Sequence, residues 1–328
     1  AVTPFFLFAT LSKLSGQIIS LSESINFLFI YNFKNVYSHF RVIIHKMEIV
    51  TKIAPIALAL IMLGLGLGLT FQDFLRILKQ PKDFFIGFIC QIIVLPIIAF
   101  LLIKILNTPL ELALGVMIIA AAPGGVTSNV LTKFANGDVA LSVSLTAIIS
   151  LISIFTVPFI VFKSADLFQI SYISQNISMV GISLKMFFVV TLPVIIGMLI
   201  RKFATIFILN NMQSIQRLSI FLFLVVFVAI WIEEWENITS FITRAGLIAL
   251  ILNLVMMTFG FYAAKVFASG MEQRKCISLE CGLQNGTLAV FVSTQLFDNI
   301  VYMVPTAAYA LIMFVTSIIF VFLVKNLD

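Results

Sequence analysis

SLECGLQNGTLAV, residues 278–290, is the stretch that decides the fold, because it places a carboxylate and two amides inside an apolar segment. The carboxylate belongs to Glu280 and the amides to Gln284 and Asn285, with Gly282 and Gly286 on either side of the amides. Polar groups in apolar surroundings are usually hydrogen-bonded or kept for a function. The stretch therefore predicts a helix that is interrupted at a functional site. The alternative is a structural carboxylate that accepts hydrogen bonds from neighbouring helices.

The composition indicates that most of the chain is surrounded by lipid. Of its 328 residues, 61% are hydrophobic and 10% are charged, whereas soluble domains contain about 25% charged residues. An apolar run of about 20 residues can cross the hydrocarbon core of a bilayer. Such runs predict an all-α, polytopic membrane protein with nine spans, at residues 53–71, 84–105, 110–134, 139–162, 180–200, 218–235, 244–268, 276–297 and 301–324. The net charge of +6 fits basic loops beside a bilayer and requires no nucleic acid partner.

The N-terminal segment, residues 1–46, differs from the rest of the chain. It is apolar but interrupted by Lys13, several serines and Glu23, and Met47 then opens a strongly apolar run that looks like a natural start. The segment is therefore either a tenth span or an extension that does not belong to the native fold. Residues 47–328 are predicted to form the membrane domain.

The basic residues predict the orientation, since Lys and Arg collect in cytoplasmic loops. The loops of one side carry only Lys104, Lys163 and Arg244, together with a cluster of glutamates. The loops and tail of the other side carry Arg76, Lys79, Lys82, Lys133, Arg201, Lys202, Arg217, Lys265, Arg274, Lys275 and Lys325. We therefore expect a multi-pass protein of the cell (inner) membrane with a cytoplasmic C-terminus.

Several chemistries are disfavoured by the residue types. The histidines, His39 and His45, both lie in the N-terminal segment, so the apolar body lacks the commonest metal ligand and proton shuttle. Three cysteines, in or next to apolar segments, are typical of buried small residues rather than of a disulfide framework. The chain has no HExxH or GxSxG motif and no paired intramembrane aspartates, so nothing supplies a nucleophile with its base, and we expect no enzyme.

A second interrupted helix is predicted in AAPGGVTSNVLTKFANGD, residues 121–138. Pro123 removes a backbone donor, and Gly124 and Gly125 loosen the helix further. A helix that restarts after the break would point its N–H groups at a cavity, which suits an anion. The break lies five predicted spans before the one near Gly282, an odd offset that predicts an inverted-repeat transporter. The alternative is a simple kink packed with small residues.

A bound cation is the natural partner of Glu280. No Lys or Arg lies well inside the spans near the breaks, since Lys185 and Arg244 sit near span ends. One carboxylate among neutral oxygens suits a monovalent cation, and Na⁺ is the abundant choice. The candidate oxygen ligands are carbonyls freed by the breaks and the side chains of Gln91, Ser128, Asn129, Ser142, Thr146 and Gln284.

At these residues the sequence resembles the bile acid:sodium symporter family. The matching pieces, in order, are GLGLGLTFQDFLRILKQPKDFFIGFICQIIVLP, APGGVTSNVLTKFANGDVALSVSLT and ECGLQNGTLA. The resemblance implies nine or ten transmembrane helices in a panel and a core domain, with two discontinuous helices that cross and two Na⁺ sites behind the crossing. It implies a first site of Ser128, Asn129, Ser142, Thr146 and Glu280. It implies a second site of Gln91 and Gln284, with backbone carbonyls of Glu280, Cys281 and Leu283.

The resemblance implies Na⁺-coupled symport of a small organic anion by alternating access, with residues 47–328 as the transporter domain. The substrate would lie near Asn285, Val126 and Thr127. Some relatives have a hydroxyl residue where this chain has Val126, so the resemblance does not assign a particular substrate to this chain. A bile-acid-like, a keto acid or a pantoate-like anion fits equally. The alternative is a proton-coupled carrier in which Glu280 titrates. The sequence assigns no oligomeric state.

Overall fold

The computed structural model describes residues 49–79, 81–170, 178–233, 235–297 and 300–327. The N-terminal segment predicted as a possible tenth span lies outside the described residues. The helices are α1 Ile49–Gly68, α2 Phe71–Lys79, α3 Pro81–Ile89, α4 Leu95–Ile105, α5 Leu110–Ala121, α6 Val126–Phe134, α7 Val139–Phe168, α8 Met179–Met186, α9 Leu192–Phe203, α10 Thr205–Glu233, α11 Trp235–Phe267, α12 Met271–Gly282, α13 Gly286–Leu296 and α14 Val304–Val324. A π-helical turn joins α3 to α4 (Cys90–Val94) and another joins α8 to α9 (Phe187–Thr191).

Six continuous helical segments of the described residues are long and apolar enough to cross a membrane. They are Pro81–Ile105, Val139–Phe168, Met179–Phe203, Thr205–Ala229, Thr243–Phe267 and Val301–Val324. The other three predicted spans fall on shorter apolar helices, Ile53–Gly68, Leu110–Ala121 and Gly286–Leu296. Two of these three belong to the predicted interrupted spans, where the chain leaves the helix and resumes it. The all-helical membrane architecture is therefore confirmed for the described part of the chain.

The largest difference from the predicted spans is at α10, which begins at Thr205 rather than near residue 218. The first part of this helix contains Asn210, Asn211, Gln213 and Gln216. A search for continuous apolar runs passes over such residues. These amide side chains are nevertheless compatible with a membrane helix, because they can face water or a cavity while the other faces of the helix stay apolar.

The two π-helical turns were not predicted, and each stands just before a Leu-Pro pair. The prolines, Pro96 and Pro193, are near the start of the helices that follow. Proline has no N–H group and its ring crowds the preceding turn, so a widened turn lets the helix continue. Widened turns often occur at functional sites, and the first of them carries the buried side chain of Gln91.

Glycines set the close approach of α1 to α9. A Cβ atom at Gly66 would lie 2.2 Å from the carbonyl oxygen of Val194, and one at Gly197 would lie 2.5 Å from that of Leu63. Small residues at these places let two membrane helices pack backbone against backbone. Helix α1 also packs against α10. These three helices form one side of the cavities described below.

The described surface is largely apolar, whereas polar side chains are found inside. Phe155, Phe159 and Phe322 are more than half exposed, as expected for side chains that face lipid tails. The interior contains Gln91, Ser128, Ser142, Thr146, Asn253, Glu280 and Gln284, each at least nine-tenths buried. Apart from Asn253, these are the residues in which the sequence analysis predicted an ion site.

Candidate functional site at the crossing of two interrupted helices

The two interrupted helices cross at their unwound segments. Residues 122–125 separate α5 from α6, and residues 283–285 separate α12 from α13. Gly125 N–H donates to the Leu283 carbonyl at 3.0 Å, and Asn285 N–H donates to the Pro123 carbonyl at 2.8 Å. Gly124 and Gln284 form an antiparallel bridge. Each break thus satisfies peptide groups that the other leaves free, which is how a membrane protein tolerates unwound backbone.

Side chains hold the helix ends at the second break. The Gly282 carbonyl, at the end of α12, accepts from Asn253 Nδ2 at 2.8 Å and from the Tyr309 hydroxyl at 3.1 Å. Asn285 Oδ1 accepts from Leu288 N–H at 3.0 Å and so caps α13. Asn253 and Tyr309 were not predicted from the sequence. A lone amide in the middle of an apolar span, as in LILNLVMM, is the signal that could have pointed to Asn253.

The carboxylate of Glu280 lies among three hydroxyl groups. Ser128 Oγ and Ser142 Oγ each donate to its Oε1 at 2.5 Å. Thr146 Oγ1 lies 3.2 Å from Oε1 and 3.1 Å from Oε2. Asn129 Oδ1 is 2.8 Å from Ser142 Oγ. The structure therefore brings together all five residues that were predicted as the first Na⁺ site.

The start of α7 is fixed so that Ser142 and Thr146 face this carboxylate. Asp138 Oδ1 accepts from the N–H groups of Ala140 and Leu141 at 3.1 and 2.9 Å, which caps the helix. The N–H group of Asp138 donates to the Glu272 carbonyl at the beginning of α12. The two hydroxyl residues are four positions apart, so they share one face of α7.

Two glutamines bind the backbone next to Glu280. Gln91 Nε2 donates to the Glu280 carbonyl at 2.5 Å, and Gln284 Nε2 donates to the Cys281 carbonyl at 3.0 Å. The Oε1 atom of each glutamine is buried and has no hydrogen-bond partner. An unpaired buried acceptor costs about 1–3 kcal/mol. Two such oxygens, on side chains that hold the carbonyls of Glu280 and Cys281, are an arrangement that a cation would complete.

The backbone carbonyls predicted for the second site already accept one hydrogen bond each. Gln91 donates to that of Glu280, Gln284 to that of Cys281, and Gly125 N–H to that of Leu283. A carbonyl oxygen has two lone pairs, so each has one left for an ion. The side chain of Gln91 is close to Gly124, since a Cβ atom there would lie 2.9 Å from Gln91 Nε2 and 2.6 Å from Glu280 Oε2.

A small cavity of about 40 Å³ lies on the other side of the crossing. Its wall includes Val126, Thr127 and Asn285, the three residues predicted to contact the substrate, and α10 closes it with Gln216 and Phe223. Helix α6 begins here, and no side chain caps its first turn. The partial positive charge of its N-terminus therefore faces the cavity, as a negatively charged ligand requires.

A second, larger cavity, of about 640 Å³, adjoins the first. The two cavities share Val126, Val130, Gln216 and Ser219 in their walls. The second cavity is lined further along by Lys133, at the end of α6, and by Arg201, at the end of α9. Both of these belong to the basic set that predicts the cytoplasmic side.

Comparison with known proteins identifies the family. Residues 55–241 match the model of the Sodium Bile acid symporter family. The chain belongs to this family. The sodium bile acid symporter resemblance that the three sequence pieces predicted is thereby confirmed, and the protein is a multi-pass membrane protein of a sodium-dependent transporter family.

Relatives of this chain come from bacteria, plants and animals. A probable sodium/metabolite cotransporter BASS1, chloroplastic, of Arabidopsis thaliana is 29% identical over 255 residues, which is 77% of this chain and 61% of the relative. The uncharacterized sodium-dependent transporter YocS of Bacillus subtilis is 28% identical over 78% of this chain and 77% of its own length. The ileal sodium/bile acid cotransporter of mouse is 24% identical over 82% of this chain and 77% of its own length. Each is named as a transporter rather than as an enzyme.

Proposed function

We propose that the protein is a secondary active transporter that couples the inward movement of Na⁺ to the uptake of a small organic anion by alternating access. The observation that carries this proposal is the set of oxygen atoms around the Glu280 carboxylate at the crossing. It includes two hydroxyl groups that donate to the carboxylate, and the nearby amide oxygens of Gln91 and Gln284 have no hydrogen-bond partner. The relatives named as sodium cotransporters support Na⁺ as the coupling ion. The anion is bile-acid-like, a keto acid or pantoate-like.

The first Na⁺ binds the Glu280 carboxylate with the oxygens of Ser128, Asn129, Ser142 and Thr146. Within the described residues, no Lys or Arg forms an ion pair with Glu280. A bound monovalent cation would neutralise this buried charge and receive the neutral oxygens that hard cations prefer. The hydroxyl groups that now donate to the carboxylate can rotate their lone pairs towards the ion.

The second Na⁺ binds the orphaned oxygens of Gln91 and Gln284, with the carbonyls of Glu280, Cys281 and Leu283 as further ligands. The proposal of a second ion is supported by the two unpaired amide oxygens. Because the Nε2 atom of each glutamine is already held by a backbone carbonyl, its Oε1 has a defined direction before the ion arrives.

The substrate anion binds on the cavity side of the crossing. Its negative group accepts hydrogen bonds from the first N–H groups of α6, at Val126 and Thr127, and from the amide of Asn285. The side chain of Val126 offers no hydrogen bond, so this residue contributes through its backbone. The apolar wall around Phe223 and the adjoining larger cavity receive the rest of the molecule.

Residues 47–328 form the transporter domain, with a panel and a core part that move against each other. Na⁺ binding joins both interrupted helices into one rigid unit, and rocking of that unit exposes the substrate to either side in turn. With the C-terminus in the cytoplasm, the larger cavity opens inwards. The nine-span arrangement, with the N-terminal segment as a possible tenth, follows the apolar runs of the sequence, and the inverted repeat follows the matching positions of the two breaks.

The thermal unfolding midpoint of the purified protein in detergent tests the proposal. Na⁺ should raise it saturably when exchanged against choline at constant ionic strength, since at a hundred dissociation constants a ligand stabilises by about 2.7 kcal/mol. Glu280→Gln and Gln91→Ala should weaken the rise. Glu272→Gln, at an exposed position in the first turn of the same helix, is the matched control. If Na⁺ does not change the midpoint of the wild type, and uptake persists at fixed pH in choline, the coupling ion is H⁺ rather than Na⁺.

A further inference from the structure

We propose that the larger cavity contains a second anion subsite formed by Arg201 and Lys133, so that the transported molecule carries two negatively charged groups. This rests on the proposed function, because one group is taken to lie at the crossing near Val126 and Asn285, and it narrows the proposed anions to those that carry a second acidic group. The second group lies further along the same passage, towards the predicted cytoplasmic side.

Arg201 is the residue that points most directly to a ligand. It lies in the last turn of α9 and lines the cavity, and its Nη1 atom is buried and has no hydrogen-bond partner. A buried donor without a partner costs free energy, and a guanidinium group costs more than a neutral one. Its planar fork matches the two oxygens of a carboxylate.

The surroundings of Arg201 carry excess positive charge. Lys133, at the end of α6, lines the same cavity, together with the amides of Asn129, Gln213 and Gln216. The lining contains no Asp or Glu, and neither basic residue forms an ion pair within the described part of the chain. A cleft with low-dielectric walls focuses such a field on an anion inside it.

The spacing sets the length of the ligand. Val126 and Lys133 are the ends of one stretch of α6 that runs along the passage, and seven residues of helix cover about 10 Å. The two cavities adjoin, since they share Val126, Val130, Gln216 and Ser219 in their walls, and the ligand would extend from one into the other. A straight-chain dicarboxylate of medium length fits this geometry, whereas a monoanion uses only one end.

A binding experiment with paired ligands tests the subsite. Straight-chain dicarboxylates from succinate to sebacate, and the monomethyl ester of each, are titrated by thermal shift against wild-type protein in saturating Na⁺. We expect one medium-length dicarboxylate to bind about tenfold or more tightly than its ester, since a charged hydrogen-bonded pair contributes about 1.5–3 kcal/mol. Arg201→Gln should reduce the dicarboxylate to the affinity of the ester and leave the ester unchanged.

The controls separate this proposal from simpler explanations. Lys202 is exposed and lies outside the cavity lining, so Lys202→Gln should keep the preference for the dicarboxylate. Equal affinity of each dicarboxylate and its ester in the wild type would overturn the subsite, and the basic pair would then serve only the orientation of the chain in the membrane. The subsite would also be overturned if the protein responds to Na⁺ but binds neither the dicarboxylate nor its ester. A wild type that does not respond to Na⁺ at all would instead contradict the proposed coupling.

Discussion

Ser142 and Ser144 show how closely a side chain's role depends on the face of the helix that it occupies. Both are buried hydroxyls on α7, two positions apart. Ser142 donates to the Glu280 carboxylate, whereas Ser144 lies 2.7 Å from the Ala140 carbonyl and 3.0 Å from the Asp73 carbonyl. Only the first can therefore contribute an oxygen to an ion at Glu280.

We predict that Ser142→Ala weakens Na⁺ binding and that Ser144→Ala does not. Loss of one oxygen beside a buried charge should raise the Na⁺ dissociation constant about tenfold, within the range of hydrogen bonds to charged groups. The measurement is the Na⁺ concentration at half-maximal thermal shift. Equal constants for the two variants would remove Ser142 from the ion site.

A second residue-scale prediction concerns Asn253, whose role is to position the end of α12. Its amide donates to the Gly282 carbonyl and its Oδ1 accepts from Thr316 Oγ1 at 2.6 Å. Asn253→Leu removes one of the two donors to the Gly282 carbonyl, and Thr316 keeps the Ile312 carbonyl as its acceptor. The loss should lower the free energy of unfolding by about 0.5–1.5 kcal/mol for each hydrogen bond removed. The Na⁺ midpoint should shift as well, because the carbonyls next to Gly282 would lose their fixed direction. Destabilisation without any change in Na⁺ affinity would assign Asn253 a structural role only.

The site residues differ in how far the sequence could predict them. Glu280 and the two glutamines stand out because a polar side chain in an apolar span is rare. Ser142 and Thr146 follow from their spacing along one helix. Asn253 also stands out as an amide in an apolar span, but its role and that of Tyr309 could not be assigned, because the direction of the Gly282 carbonyl is fixed only once the two interrupted helices have crossed.

At the scale of elements, proline and glycine predict interruptions better than they predict widened turns. The Pro-Gly-Gly stretch at Pro123 predicts a break that the structure also has. Proline removes a backbone donor, and the two glycines lack the side chains that restrict the backbone. The prolines of α4 and α9 look similar in sequence, yet there the helix continues through a π-helical turn. The difference depends on whether neighbouring helices supply hydrogen bonds to the freed backbone groups. The order of residues along the chain does not show which helices will be neighbours.

The packing of α1 on α9 gives a prediction with its own control. Gly66→Ala would place a Cβ atom 2.2 Å from the Val194 carbonyl oxygen, whereas nothing lies within 4 Å of a Cβ atom at Gly68. Overpacking of this kind costs about 1–3 kcal/mol. We expect Gly66→Ala to lower the thermal midpoint in detergent and Gly68→Ala to leave it near the wild-type value. Equal midpoints for Gly66→Ala and Gly68→Ala would mean that α1 and α9 can move apart without loss of stability.

At the scale of the whole molecule, the orientation can be tested with single cysteines. The native thiols of Cys90, Cys276 and Cys281 are buried, so a membrane-impermeant thiol reagent should label the wild type weakly. Lys325→Cys should react in inside-out vesicles and not in intact cells. Lys163→Cys, at an exposed position on α7, should show the reverse. Labelling of both variants from one side would contradict the predicted topology.

The shared use of Glu280 has a consequence for how the ions arrive. Its carboxylate belongs to one proposed Na⁺ site and its backbone carbonyl to the other, and backbone hydrogen bonds tie the two unwound segments together. The first ion would order groups that the second also needs, so the second would lose less conformational freedom on binding. We expect cooperative binding, with a Hill coefficient above one and at most equal to the number of sites. Isothermal titration with Na⁺ measures it, and a strictly hyperbolic isotherm would mean that the sites fill independently or that only one exists.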